Sequence, residues 1–215
     1  MKLGLISDIH ADLTSLQLAL ALLHDQHVDQ IICAGDAVEK GPHGNAVVRL
    51  LQAEQVACVA GNHDRQALAN EEWHGDYIES DPAPPSYFLD SQSLDWLRRL
   101  PQTLDLNIEY SRLCVAHGTP ANDMLYVFPT SRRRVFEKVV SQANADVLIL
   151  GHTHIPMLVC MEDTWICNPG SVCGTLSSGS STCATLTLPH CQFNFFNIAT
   201  GMRVMPRHVE LGEVR

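Results

Sequence analysis

Five short apolar runs, each followed within two residues by histidine, aspartate or asparagine, constrain this chain more than any other feature. The runs are Leu3 to Ile6, Gln30 to Ala34, Val56 to Ala60, Leu113 to Ala116 and Asp146 to Leu150. Each has the length and aliphatic content of a buried strand. The polar clusters behind them are Asp8-Ile9-His10, Gly35-Asp36, Gly61-Asn62-His63-Asp64, His117-Gly118 and Gly151-His152-Thr153-His154. Packing alone gives no reason to end successive buried strands in such residues, because buried charge is costly unless it is paired or bound to metal. Five strands that end this way can bring their ends together on one edge of a sheet.

The intervening segments set the class. Asp12 can cap a helix in which Leu13, Leu16, Leu20 and Leu23 recur at helical spacing. A second helix is expected over residues 45–52 and a third near Asp64. This strand–helix alternation predicts a parallel sheet with right-handed crossovers. Residues 70–90, with Pro82, Pro84 and Pro85, read as a long surface loop on the substrate side. Ser91 or Ser93 is expected to cap a short helix that Pro101 stops. A hairpin over residues 104–116 and a loop and helix over residues 129–142 follow. The last third reads as strands at residues 157–161, 164–167, 182–188 and 192–198, with a Ser/Gly loop at 177–181. The expected architecture is α/β: a four-layer α/β/β/α sandwich of two mixed sheets, forming a single domain over residues 1–215.

Composition excludes several roles. A net charge of −10 argues against non-specific binding to a nucleic-acid backbone. Arg132-Arg133-Arg134, the sole basic run, reads as a solvated helix face. No secretion signal and no 18-residue apolar span are visible, so a cytoplasmic location without membrane contact is expected. None of the eight cysteines forms a C-x-x-C pair. They read as reduced core thiols, and a zinc–thiolate site is not expected.

Seven of the clustered side chains are good metal ligands: Asp8, His10, Asp36, Asn62, His117, His152 and His154. Asp8, His10 and His154 can hold one ion, Asn62, His117 and His152 a second, and Asp36 can bridge. Imidazole, carboxylate and amide oxygen without thiolate suit manganese, iron, zinc, cobalt or nickel. Two such ions about 3.5–4 Å apart, sharing an activated water, form the usual device for phosphate-ester hydrolysis.

With these residues in order, the chain resembles the calcineurin-like metallophosphoesterases. D-x-H, G-D, G-N-H-D, a later H and G-H-x-H are all present. Gly41-Pro42, His117-Gly118-Thr119-Pro120 and Asn168-Pro169-Gly170-Ser171-Val172 are similar to its small bacterial phosphodiesterase-like branch, and the likeness runs from about residue 3 to residue 198. The resemblance implies the ligand set above, with Asp36 bridging, and a metal-bridging hydroxide as nucleophile. It also implies catalytic roles for His63, beside the leaving oxygen, and for its neighbour Asp64, as an orienting or helix-start acid. Position 12 is Asp where that branch usually has Asn, and position 11 is Ala where it has Gly. Cys173-Gly174-Thr175-Leu176 replaces a Gly-x-Pro-Arg segment.

Lys40 is a candidate phosphate contact, and His43 a second candidate for substrate binding. Tyr126 and Phe128 read as packing residues, and Asn168 as part of a tight turn. The expected substrate is a small phosphodiester. Alternatives are a phosphoprotein phosphatase, a dinucleoside polyphosphate hydrolase, or a scaffold of this fold that has lost catalysis.

Overall fold

Two six-stranded mixed sheets lie face to face, with helices on both outer surfaces. A computed structural model describes residues 1–74, 89–161, 163–174 and 181–208. In chain order the elements begin with β1 (Lys2–Ile6), α1 (Leu13–Asp25), β2 (Gln30–Cys33), α2 (Gly44–Ala53), β3 (Ala57–Cys58), α3 (Asn62–His74) and α4 (Ser91–Arg99). They continue with β4 (Thr103–Ile108), β5 (Ser111–Ala116), α5 (Arg133–Ala143), β6 (Val147–Ile149), β7 (Met157–Met161) and β8 (Thr164–Asn168). β9 (Thr182–Thr187), β10 (Gln192–Asn197), β11 (Arg203–Val204) and β12 (Arg207–His208) follow. The first sheet runs β11-β10-β9-β1-β2-β3 and the second β12-β7-β8-β6-β5-β4. β1, β2 and β3 are mutually parallel, as are β5, β6 and β8, while β9 and β7 add antiparallel neighbours.

The side-chain alternation of each strand explains the layers. Leu3, Leu5, Ile32 and Ala34 meet Leu113, Val115, Val147 and Ile149 between the sheets. Ile6, Ile31 and Cys33 face the other way, onto Leu16, Ala19, Leu20 and Leu23 of α1 and Val47, Val48 and Leu51 of α2. On the far side Phe136, Val139 and Ala143 of α5 cover Cys114, Leu148 and Ile166. Two-sided burial accounts for the unbroken apolar runs of the parallel strands.

Asp12 caps α1, accepting from Ser15 N at 3.0 Å and from Ser15 Oγ at 2.7 Å. Its charge therefore serves the helix end. The cap of α4 is Asp90, which accepts from Ser93 N at 2.9 Å, and neither Ser91 nor Ser93 fills that place. α3 begins at Asn62 and reaches His74, so the start of the expected 70–90 loop is helical. Residues 75–88 of that loop, and most of the 177–181 loop, lie outside the described residues. β11 and β12 are two-residue strands at the sheet edges that carry no pattern of their own. Among the described residues no helix is long and apolar enough to cross a membrane. None of the eight cysteines forms a disulfide, and six of them are buried.

Candidate metal centre

The C-terminal ends of β1, β2, β5 and β6, with the start of α3, converge between the two sheets and bring all seven expected ligands together. Sharp turns make this possible. Asp8, His10, Asp36, His152 and His154 all have left-handed φ between +49° and +69°. Such a conformation costs a non-glycine residue about 1–3 kcal/mol and clusters at functional sites. The chain also needs glycine at close approaches. A Cβ on Gly61 would lie 2.1 Å from Asp36 Oδ1, and one on Gly151 2.1 Å from Ser7 Oγ.

Two carboxylate oxygens occupy the middle. Asp36 Oδ2 is 3.1 Å from His117 Nε2 and 3.7 Å from His10 Nε2, so it stands between the two expected ligand sets. Asp8 Oδ1 is 3.2 Å from His154 Nε2, 3.9 Å from His10 Nε2 and 4.0 Å from His117 Nε2. On one side His10 Nε2 and His154 Nε2 are 3.2 Å apart. On the other, His117 Nε2 is 3.0 Å from Asn62 Oδ1, and ring nitrogens of His117 and His152 lie within 4.8 Å of Asp36. His117 Nδ1 donates to the Ala34 carbonyl at 2.7 Å, which turns Nε2 toward the carboxylates.

The electrostatics of this cluster fit a cation. Asp8 and Asp36 are essentially fully buried. Burial alone would raise both, yet the surrounding imidazoles hold them below the ordinary carboxylate range. Burial lowers His10 to about 3 and His152 to about 4, so both are neutral and able to ligate. Burial opposes charge on His117 too, but Asp36 and Asp8 raise it to about 9. Asp8 Oδ1 and His152 Nε2 are buried without a hydrogen-bond partner among the described residues. Two buried carboxylates, four imidazoles and an amide oxygen converging in this way fit divalent cations, with His117 giving up its Nε2 proton when an ion binds.

Around this core the remaining candidates separate. His63 is 2.8 Å through Nδ1 from Glu39 Oε2, and Asn70 Nδ2 donates to Glu39 Oε1 at 3.1 Å. Glu39 is 6% exposed and left-handed, so it is built in as the orienting partner of His63. No pattern in the sequence marked it for that part. A ring nitrogen of His63 is also within 4.8 Å of ligand atoms on His10 and Asp36.

Asp64 faces away from the cleft. Its Oδ2 accepts from the backbone N–H of Gly61 at 2.8 Å and Asp36 at 2.9 Å, and its Oδ1 from Ala37 at 2.9 Å and Val38 at 3.1 Å. Burial and the Asp36 charge push this carboxyl up, while the four donors need both oxygens as acceptors. Asp64 therefore pins the Asp36 loop to the start of α3, and it places the Asp36 carboxylate without itself lining the cleft. Asn168 does the same for the histidine loop: its Nδ2 donates to the Gly151 carbonyl at 2.6 Å and to Thr153 Oγ1 at 3.1 Å.

A cleft of about 310 Å³ opens over the cluster, lined by Asp36, Lys40, His63, Tyr126, Phe128, His152, Thr153 and His154. Lys40 Nζ is 3.2 Å from His10 Nε2. His43 is not among the lining residues; it sits exposed at the start of α2 without a side-chain cap bond. Tyr126 and Phe128 depart from the packing expectation: they are 52% and 38% exposed and form one wall. Tyr126 stacks on His152 with centroids 3.8 Å apart, and Phe128 continues the stack at 5.2 Å. Their segment has no strand or helix period, which is why the sequence did not reveal the wall.

Comparison with known proteins gives the family and the fold. Residues 1–190 match the model of the calcineurin-like phosphoesterase superfamily domain. The chain is 27% identical over 176 residues to an uncharacterized protein of Methanocaldococcus jannaschii, covering 79% of this chain and 69% of that one. It is 24% identical over 179 residues to a protein of the same organism named as a phosphodiesterase, covering 82% and 87%. The crystal structure of a metallophosphoesterase from Sphaerobacter thermophilus shares the fold, with a TM-score of 0.74 at 23% identity over 96% of this chain and 90% of that one.

Proposed function

The chain belongs to the calcineurin-like phosphoesterase superfamily, and from that premise we propose that it is a phosphodiesterase using two divalent ions. The observation that carries this reading is the position of Asp36 Oδ2 between His117 Nε2 and His10 Nε2, at 3.1 and 3.7 Å, with one ligand set on each side. Asp8, His10 and His154 would hold one ion, Asn62, His117 and His152 the other, and Asp36 would touch both. Bound there, the ions would supply an activated water and neutralise phosphate charge.

The protein's own residues supply the remainder. Glu39 fixes the rotation of the His63 ring, which lines the cleft, and leaves its other nitrogen to give a proton to the departing ester oxygen. Lys40 contributes one positive charge without a bidentate fork. No arginine lines the cleft among the described residues. A diester brings a single negative charge on the scissile phosphate, which suits that provision better than a dianionic monoester. The Tyr126–Phe128 wall offers an apolar, planar surface to the second ester group, which a monoester lacks.

The test is to measure kcat/KM for matched aryl phosphodiesters and monoesters in the presence of manganese, alongside metal analysis of the purified protein. A higher value for the diester supports the reading. A strong preference for the monoester with metal bound refutes it and leaves the wider phosphoesterase assignment.

A further inference from the structure

Cys173 lies outside every motif that marks the metal centre, yet the chain beyond β8 delivers it there. Its Sγ, one ring nitrogen of His10 and one of His154 are all within 4.8 Å of one another. The delivery is precise. Ser171 Oγ donates to the Asp8 carbonyl at 2.9 Å, and the Cys173 N–H reaches the same carbonyl at 3.3 Å. These bonds tie the segment to the turn that carries Asp8 and His10.

A buried cysteine is most often a small core residue. The other five buried thiols of this protein fit that description: Cys33, Cys58 and Cys183 belong to the cluster beneath α1 and α2, Cys167 to the layer between the sheets, and Cys114 to the cluster under α5. Cys173 is 7% exposed but belongs to none of these clusters. It keeps polar company instead, with Ser171 Oγ 3.3 Å from its Sγ. A second observation points to a ligand in the same space. Asp8 Oδ1 is wholly buried without a hydrogen-bond partner among the described residues, and it lies 3.2 Å from His154 Nε2.

We propose that Cys173 is a thiolate donor to the divalent ion held by Asp8, His10 and His154. This inference rests on the metallophosphoesterase reading of the site. Binding exchanges the thiol proton for the metal, with the proton released to solvent and no change of oxidation state. The two halves of the centre then differ in character. The half built from Asn62, His117 and His152 offers only nitrogen and oxygen. The half with Cys173 adds sulfur, which selects zinc, cobalt or iron(II) over manganese and magnesium. Mixed loading follows, with the softer ion beside Cys173.

Cobalt(II) reports this directly. The cobalt-loaded protein should show a thiolate-to-cobalt charge-transfer band in the near ultraviolet, together with visible d–d bands from the whole centre. Cys173→Ser and Cys173→Ala should each lose the charge-transfer band while keeping cobalt. In competition, the preference for zinc over manganese should fall by about tenfold or more in Cys173→Ser. Full cobalt content in the unaltered protein without a charge-transfer band overturns the proposal and leaves the metal centre standing. A band that survives both substitutions assigns the sulfur elsewhere and also overturns it. Failure to take up cobalt at all overturns the centre itself, and the proposal with it.

Discussion

Replacing Asp64 by asparagine separates a carboxylate that builds the site from one that acts in it. The Asp64 carboxylate accepts four backbone N–H groups, two on each oxygen, at 2.8 to 3.1 Å. An asparagine keeps one oxygen and puts an NH2 group where the other was. Two of the four donors then lose their acceptor and face another donor. Each buried unpaired N–H costs about 1–3 kcal/mol. Asp64→Asn should therefore lose about 2–6 kcal/mol, a large part of the roughly 5–15 kcal/mol that holds a domain folded. The released groups include the N–H of Asp36 or of its neighbours, so metal affinity should fall as well. Urea unfolding of the metal-free protein at about pH 8, where the carboxyl is charged in both states, measures the first effect. Metal analysis after dialysis measures the second. A stability loss below about 1 kcal/mol with normal metal content would refute the argument, because the carboxyl would then be holding a proton and not four N–H groups.

Three further outcomes follow from the same geometry. His63→Ala and Glu39→Gln should both keep the metals and lower kcat, the second by about ten- to a hundredfold, with a smaller defect for a nitrophenolate leaving group; loss of metal in His63→Ala would make His63 a ligand. His117 is raised from 6.5 to about 9 in the folded protein, so its contribution to the metal-free protein is complete below pH 6.5 and lost as pH rises through 9. Thermal melts of the metal-free protein should fall across that window, and a flat profile would contradict the assignment. Tyr126→Ala should raise KM for aryl phosphodiesters several-fold while changing kcat less, since in the proposed reading the wall would meet the second ester group and not the reacting atoms; an unchanged KM removes the wall from substrate binding.

What the sequence disclosed depended on how local the signal was. The strand ends and the seven side chains that converge there were legible because two-sided burial makes parallel strands uniformly apolar, so Asp8, Asp36 and His152 stand out against their runs. The cap at Asp12 was legible for a similar reason, since it directly precedes a periodic helix. Asp90 was hidden by a choice of nearby serines, and the stretch from Asn70 to His74 by the lack of an apolar period at the end of α3. Glu39 and Cys173 carry no signal of their own: each reaches the centre through a left-handed turn or a crossing segment that spacing does not encode. Tyr126 and Phe128 looked like packing residues because exposure is settled by how the loop lies on the second sheet, not by residue type.

In the proposed phosphodiesterase, Asp36 joins the two metal positions. Metal stoichiometry of Asp36→Asn beside the unaltered protein, with diester hydrolysis measured on the same samples, tests it most directly. Two divalent ions per chain and activity are expected in the unaltered protein, and reduced occupancy of both positions with activity lost in the variant. Two ions per chain and full activity in Asp36→Asn would contradict it.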